Sequence, residues 1–408
     1  MPALRVFLDS SDYSVLSGSE ATREPYASVL HKLRDLGSSG AVAFHFTGPQ
    51  IAEMAPLDPA VPHSAIRRAE LLVELCGRRC AISPERLIAW ELAGALGRQR
   101  PIESIWSETG DWFPGGVLDI ISFSPQERHV AVMESLAEQG LGRAARRAAA
   151  RELRKPAAQQ RLNALLVANA RGNDNLIAEI QQKYPMTTED ARVLARYAVG
   201  DGSPEEASAA FGASLGDAGL LYRWLQHQPE GAEKLMAWVR APAGKLNASI
   251  LQLAEQTDKM RGLEECLGVQ TNVESLTGSD WGVQAERALL AMAERFAKEF
   301  LDDQTQALSI SVLDRHCHGF VCAVRTMHEA WRLALHRNGR KPRDSDFPDM
   351  LHAMYAPYFD IFRADGFMAP LVAKNISNRQ TKVIGKLIQL PGAIEAALSA
   401  VSQETPRK

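Results

Sequence analysis

The chain has 408 residues, 46% of them hydrophobic and 23% charged, with a formal net charge of -3. This is the balance of an ordinary globular protein long enough for two or three domains, and the net charge, which hides local clustering, neither demonstrates nor excludes a polyanionic partner. Five cysteines, an odd number in so long a chain, do not make a disulfide framework. No stretch reaches the ~20 uninterrupted apolar residues of a membrane span, and "MPALRVFLDSSDYSVL" lacks the basic start and long apolar core of a secretory leader. A cytoplasmic location with no membrane partner is the resulting expectation.

The first elements alternate. "LRVFLD" (4–9) predicts a strand stopping at Asp9, "EPYASVLHKLRDLG" (24–37) an amphipathic helix closed by Gly37, and "AVAFHF" (41–46) a second buried strand ending at Thr47-Gly48. "SAIRRAELLVELCG" (64–77) and "SPERLIAWELAGAL" (83–96) predict further helices, the second with Ser83 as N-cap and Pro84 at the first helical position. Strand, helix, strand, helix is the pattern of a parallel sheet with crossovers.

From 101 to 282 helix signals dominate. Thr187 with Asp190 and Ser203 with Glu206 have capping-box spacing. "GRAARRAAARELRK" puts Arg143, Arg147, Arg151 and Arg154 on one helical stripe, which reads as a solvated face or a phosphate-tracking surface. A long helical region (283–337) follows, then "HRNGRKPRD", then "SDFPDMLHAMYAPYFDIFRADGF" (345–367), then a strand-like "TKVIGKLIQL" (381–390) and a terminal helix after Pro391. The economical organisation is one α/β domain split into 1–100 and 283–408, with an all-helical insertion, 101–282, between its halves; two separate α/β domains would have too few strands each.

The acids carry the chemistry. A helix starting near Asp346 would bury Phe347, Met350, Leu351, Met354 and Tyr358, leaving Asp346 and Asp349 together at the edge of that face. Both have a capping explanation, as does Asp365 before "FMAPLVAK". Asp9 and Glu53, however, also fall at or just past strand ends. In a parallel sheet those ends share one edge, where ligands of such folds bind. Gathered carboxylates call for a compensating cation, and hard oxygen donors suit Mg2+ or Mn2+.

"VFLDSSDYSVL", "TGPQIAEM", "DMLHAMYAPYFDIFRADGFM" and "TKVIGKLIQLPGAIEAAL", in that order, resemble the PIN-like nuclease domain. The resemblance covers roughly 1–95 and 300–400. It implies a three-layer fold around a parallel sheet and a metal-dependent endoribonuclease using Asp9, Glu53, Asp349 and Asp365, with Asp346 as an auxiliary ligand. Arg363-Ala364 stands where the family usually has a threonine before the last acid, so that Arg363 could hold a phosphate or pair with an acid. Arg337, Arg340, Lys341 and Arg343, just before the acidic helix, are the expected contacts to the RNA backbone. The insertion would recognise substrate or a protein partner. The alternative is a degenerate fold of this kind acting as a binding module.

The remaining motifs are weaker. His316, Cys317, His318 and Cys322 fit no zinc spacing and read as one regular helix; Cys76 and Cys80 lack a second ligand pair. His352 reads as a substrate contact or plain helix surface.

Overall fold

The computed structural model describes residues 3–55, 62–113, 174–198, 202–268, 279–302, 308–336, 339–343, 345–376 and 380–404. It is mostly helical, with one four-stranded parallel sheet. The chain divides into two compact units, 1–114 with 225–408, and 115–224. The expected basic stripe at Arg143, Arg147, Arg151 and Arg154 lies outside the described residues.

In the first unit, β1 (Leu4–Phe7) runs into α1 (Ser10–Ser17), and α2 (Tyr26–Ser38) crosses back to β2 (Val42–Phe44). Then come α3 (Gly48–Met54), α4 (Pro62–Cys76), the two-residue β3 (Cys80–Ala81), α5 (Pro84–Ala95) and β4 (Trp106–Ser107). The last strand pairs β3 antiparallel, apart from the main sheet.

The second unit contains α6 (Asp174–Lys183), α7 (Thr188–Ala198) and α8 (Pro204–Leu215); α9 (Ala218–His227) leads out of it. Both expected N-caps form. The Ser203 hydroxyl accepts the Glu206 amide and Glu206 reaches back to the Ser203 amide. Thr187 accepts the Asp190 amide at 3.1 Å, while the Asp190 carboxylate takes the hydroxyls of Thr187 and Ser214 instead of a backbone group.

The chain then returns through the 39-residue α10 (Pro229–Leu267), which groups with the sheet-bearing unit although its sequence position is inside the expected insertion. It packs against α3 and against helices that follow it. Among the described residues the helical region expected over 283–337 comprises three helices: α11 (Ser279–Leu301), α12 (Ile310–His316) and α13 (His318–Leu335). The chain breaks at Cys317, whose backbone (φ -115°, ψ 54°) is not helical, so His316 and His318 end one helix and begin another.

What holds this break is a buried acid on α5. Glu91 is 0% exposed and accepts the amides of Gly319 (2.6 Å) and Phe320 (2.9 Å), the unpaired first turn of α13. The Tyr358 hydroxyl also donates to it. Burial raises its carboxyl to about 7 against the lowering effect of these bonds. Gly319 is required there, because a Cβ would stand 2.2 Å from the Met354 carbonyl oxygen.

The last elements are α14 (Asp346–Ala353), β5 (Ile361–Arg363), α15 (Met368–Asn375), β6 (Lys382–Ile384) and α16 (Leu390–Glu404). The strand expected over 381–390 is thus only three residues long, followed by a short 3-10 turn at Leu387–Gln389.

The sheet order is β2-β1-β5-β6, every pair parallel. Sequence-distant halves are therefore neighbours at its centre, with Val6 opposite Ile361 and Phe7 opposite Phe362. Phe7 and Phe362 stack at 4.7 Å on one face, over a core that includes Phe320, Val324 and Tyr355. Burying such rings is worth about 2–3 kcal/mol each and fixes the register that aligns the strand ends.

Candidate functional site at the carboxyl edge of the sheet

Every strand of a parallel sheet ends on the same edge. Asp9 stands two residues past β1, Thr47 three past β2, and Asp365 two past β5, while α3 brings in Glu53 and α14 brings in Asp349. The four expected acids are close enough to act on one another. Asp349 is half-buried, and its carboxyl is pushed well above the ordinary range, first by burial and then by the charges of Asp9, Glu53, Asp365 and Asp346. Asp9 is 5% exposed; burial and Glu53 push its carboxyl up, opposed by a hydrogen bond from Ser11, by the charge of Arg363 and, when its ring is protonated, by His352. Burial first, and repulsion between neighbouring acids second, raise the cost of ionising them, and a proton or a cation relieves it.

Local chemistry orients each acid. The Asp365 carboxylate accepts the Met368 amide at 2.5 Å, so it does cap the start of α15. The Asp9 amide donates to Asp12 Oδ2 at 3.0 Å, an acid-capped first turn that ties the strand end to α1. Glu53 Oε2 accepts the Ser10 hydroxyl at 2.5 Å and faces His352 Nε2 at 3.2 Å.

Two arginines stand among the acids. Arg340 binds both oxygens of Asp346, at 2.8 and 2.7 Å, and lies over the Phe367 ring, its guanidinium carbon 3.9 Å from the centroid. The Arg343 amide adds a third bond to Asp346 at 2.9 Å. Asp346 is therefore paired with this arginine while its charge still acts on Asp349, and two guanidinium nitrogens of Arg340 are spent on Asp346. Two acids three residues apart on α14 need a counter-charge, and a bidentate guanidinium supplies it. Arg363, at the end of β5 and 7% exposed, pairs with Asp12 Oδ1 at 3.0 Å. Its Nε and Nη1 are buried without a hydrogen-bond partner among the described residues. Burial and the charge of Asp9 raise the Asp12 carboxyl to about 7, with Arg363 opposing. Lys341 and Arg343 have exposed side chains, and Arg337 lies outside the described residues.

Sequence reasoning did not find Asp12 or Ser10, and it misjudged His352. That histidine is 2% exposed, with Nδ1 3.2 Å from Thr47 Oγ1, Nε2 on Glu53, and its ring 5.3 Å from that of Phe7. The signal was its place three residues after Asp349 on one short helix.

The donor set, carboxylate oxygens with mutual repulsion, is chemically suited to Mg2+ or Mn2+. Among the described residues, however, no group of three or more His, Cys, Asp and Glu side chains is drawn together so that it could hold a metal ion as it stands. No described helix is long and apolar enough to cross a membrane. Comparison with protein-family models, curated proteins and solved structures finds no significant match to this chain.

Proposed function

We propose that this protein is a metal-dependent nuclease of PIN-like type that hydrolyses RNA phosphodiester bonds at the edge where β1, β5 and α14 meet. The observation that supports the reading is the convergence of Asp9, Glu53, Asp349 and Asp365 on the carboxyl edge of the sheet, where Glu53 raises the proton affinity of Asp9, and Asp9, Glu53 and Asp365 raise that of Asp349. An arrangement that raises its own electrostatic cost persists where charge compensation arrives with a ligand. In this reading Asp9, Glu53, Asp349 and Asp365 hold Mg2+ or Mn2+ and close on the ion as it binds. The ion would supply charge neutralisation at the phosphate and acidify the attacking water. Lys341 and Arg343 would track the nucleic-acid backbone through salt-sensitive contacts. A protein partner docking on the helical insertion belongs to the same proposal.

The test is cleavage of a labelled RNA by wild type and Asp349→Asn. Wild type cuts with Mn2+ or Mg2+ and stops with chelator; the variant falls to background while its stability at pH 7 does not fall, since one of the mutually repelling acids is removed. Equal cleavage by both would overturn the assignment.

One observation favours a second reading, a degenerate fold that only binds. Arg340 and Arg363 already neutralise Asp346 and Asp12, and the ligand set is not preassembled. It predicts folding and partner binding indifferent to divalent ions.

A further inference from the structure

Glu53 sits on the seven-residue α3, and a glutamate side chain has enough rotatable bonds to leave its carboxylate undirected on so short an element. Here it is directed from two other elements at once. Ser10, opening α1, and His352, in the last turn of α14, both reach the same oxygen, Oε2. His352 in turn is fixed on its other side by Thr47, the residue just before α3, and by the Phe7 ring. Thr47 is 0% exposed, so its hydroxyl has no bulk water to turn towards.

We propose that Thr47 and His352 form a positioning relay for Glu53: the Thr47 hydroxyl donates to His352 Nδ1, which places the imidazole proton on Nε2, and Nε2–H donates to the Glu53 carboxylate. The donor count supports this direction. An ionised carboxylate only accepts, so the Nε2 facing it must carry a proton. With the ring neutral, Nδ1 is bare, and among the described residues the group at hydrogen-bond distance from it is a hydroxyl able to donate. Anchoring one imidazole nitrogen so that the other faces a fixed partner is how proteins commonly hold a functional carboxylate or histidine in register. Neither Thr47 nor His352 touches a reacting atom in this account; both act through Glu53. The relay itself stands apart from the function proposed above, whereas its effect on turnover rests on that function.

The experiment therefore has two arms. In metal-free protein labelled with 15N-histidine, two-bond nitrogen–proton correlations at a pH where the ring is neutral should show His352 as the Nε2–H form alone. Thr47→Val, nearly the same shape without the hydroxyl, should yield a mixture with the Nδ1–H form, and Thr47→Ser should restore the single form. In the second arm, with RNA and Mn2+, Thr47→Val and His352→Gln should lower kcat on the order of ten- to a hundredfold with KM changed by less than about threefold, and Thr47→Ser should stay close to wild type. A wild-type His352 in the Nδ1–H form, doubly protonated, or unmoved by Thr47→Val would overturn the relay whatever the enzyme does. A tautomer shift with kcat unchanged would overturn its role in positioning. If wild type cuts nothing, the function proposed above fails and the first arm still decides the relay.

Discussion

Two regions of the sheet-bearing unit bury acids, and they do so in opposite ways. Glu91 is enclosed completely, but its two oxygens meet the open amides of a helix start and a tyrosine hydroxyl, so the protein supplies both oxygens with donors. At the sheet edge, Glu53 raises the difficulty of ionising Asp9, and Asp9 and Glu53 together raise that of Asp349. The first arrangement joins α5 to α13 and serves folding. The second sets acid against acid, and that contrast, more than the number of acids, distinguishes a structural carboxylate from a candidate functional one.

The comparison can be broken most forcefully at Arg363, which stands between the two cases. Arg363→Ala removes the partner of Asp12, a carboxylate 2% exposed, and should cost roughly 3–5 kcal/mol in urea unfolding at pH 7. The double variant Arg363→Met with Asp12→Leu, which removes both charges, should recover most of that loss; a double variant as unstable as the single would show that the pair does not behave as a coupled unit.

Next in size is Glu91→Ala, which strands the Gly319 and Phe320 amides and the Tyr358 hydroxyl in the interior. It should cost about 2 kcal/mol or more with no change in the divalent-ion dependence of cleavage. A loss below about 0.5 kcal/mol would remove Glu91 from the structural class.

The smallest effect is a pH slope. The Glu91 carboxyl is raised from 4.5 in the unfolded chain to about 7 in the fold, so the native state binds the proton more tightly. Its favourable contribution is thus fully present below about 4.5 and is lost as pH rises through about 7. Wild type should lose more stability than Glu91→Gln across that window. Parallel stability curves for the two proteins would contradict the assigned shift.

Much of this contrast was legible in the sequence. Short apolar runs ending at Asp9 and before Asp365 announced strands whose ends share an edge, because local hydrophobic patterning and an abrupt acid are enough to mark a buried parallel strand. Less legible was anything set by a partner far along the chain. The break between α12 and α13 at Cys317 interrupts a continuous helical pattern, and it forms because Glu91, 226 residues earlier, caps the new helix start. His352 read as surface because helical periodicity describes one element, whereas its burial comes from β1 and from Thr47. Arg340 and Asp346 are only six residues apart, but a pair whose bond closes across a loop leaves no periodic trace.

The central claim is that the sheet-edge acids exist to be neutralised by a divalent cation. A crystal structure of the wild-type chain soaked in Mn2+, with anomalous differences collected at the manganese edge, tests it most directly. The account predicts a peak bound by Asp9, Glu53, Asp349 and Asp365, with Asp346 still on Arg340; no peak there, or manganese bound only elsewhere, would contradict it.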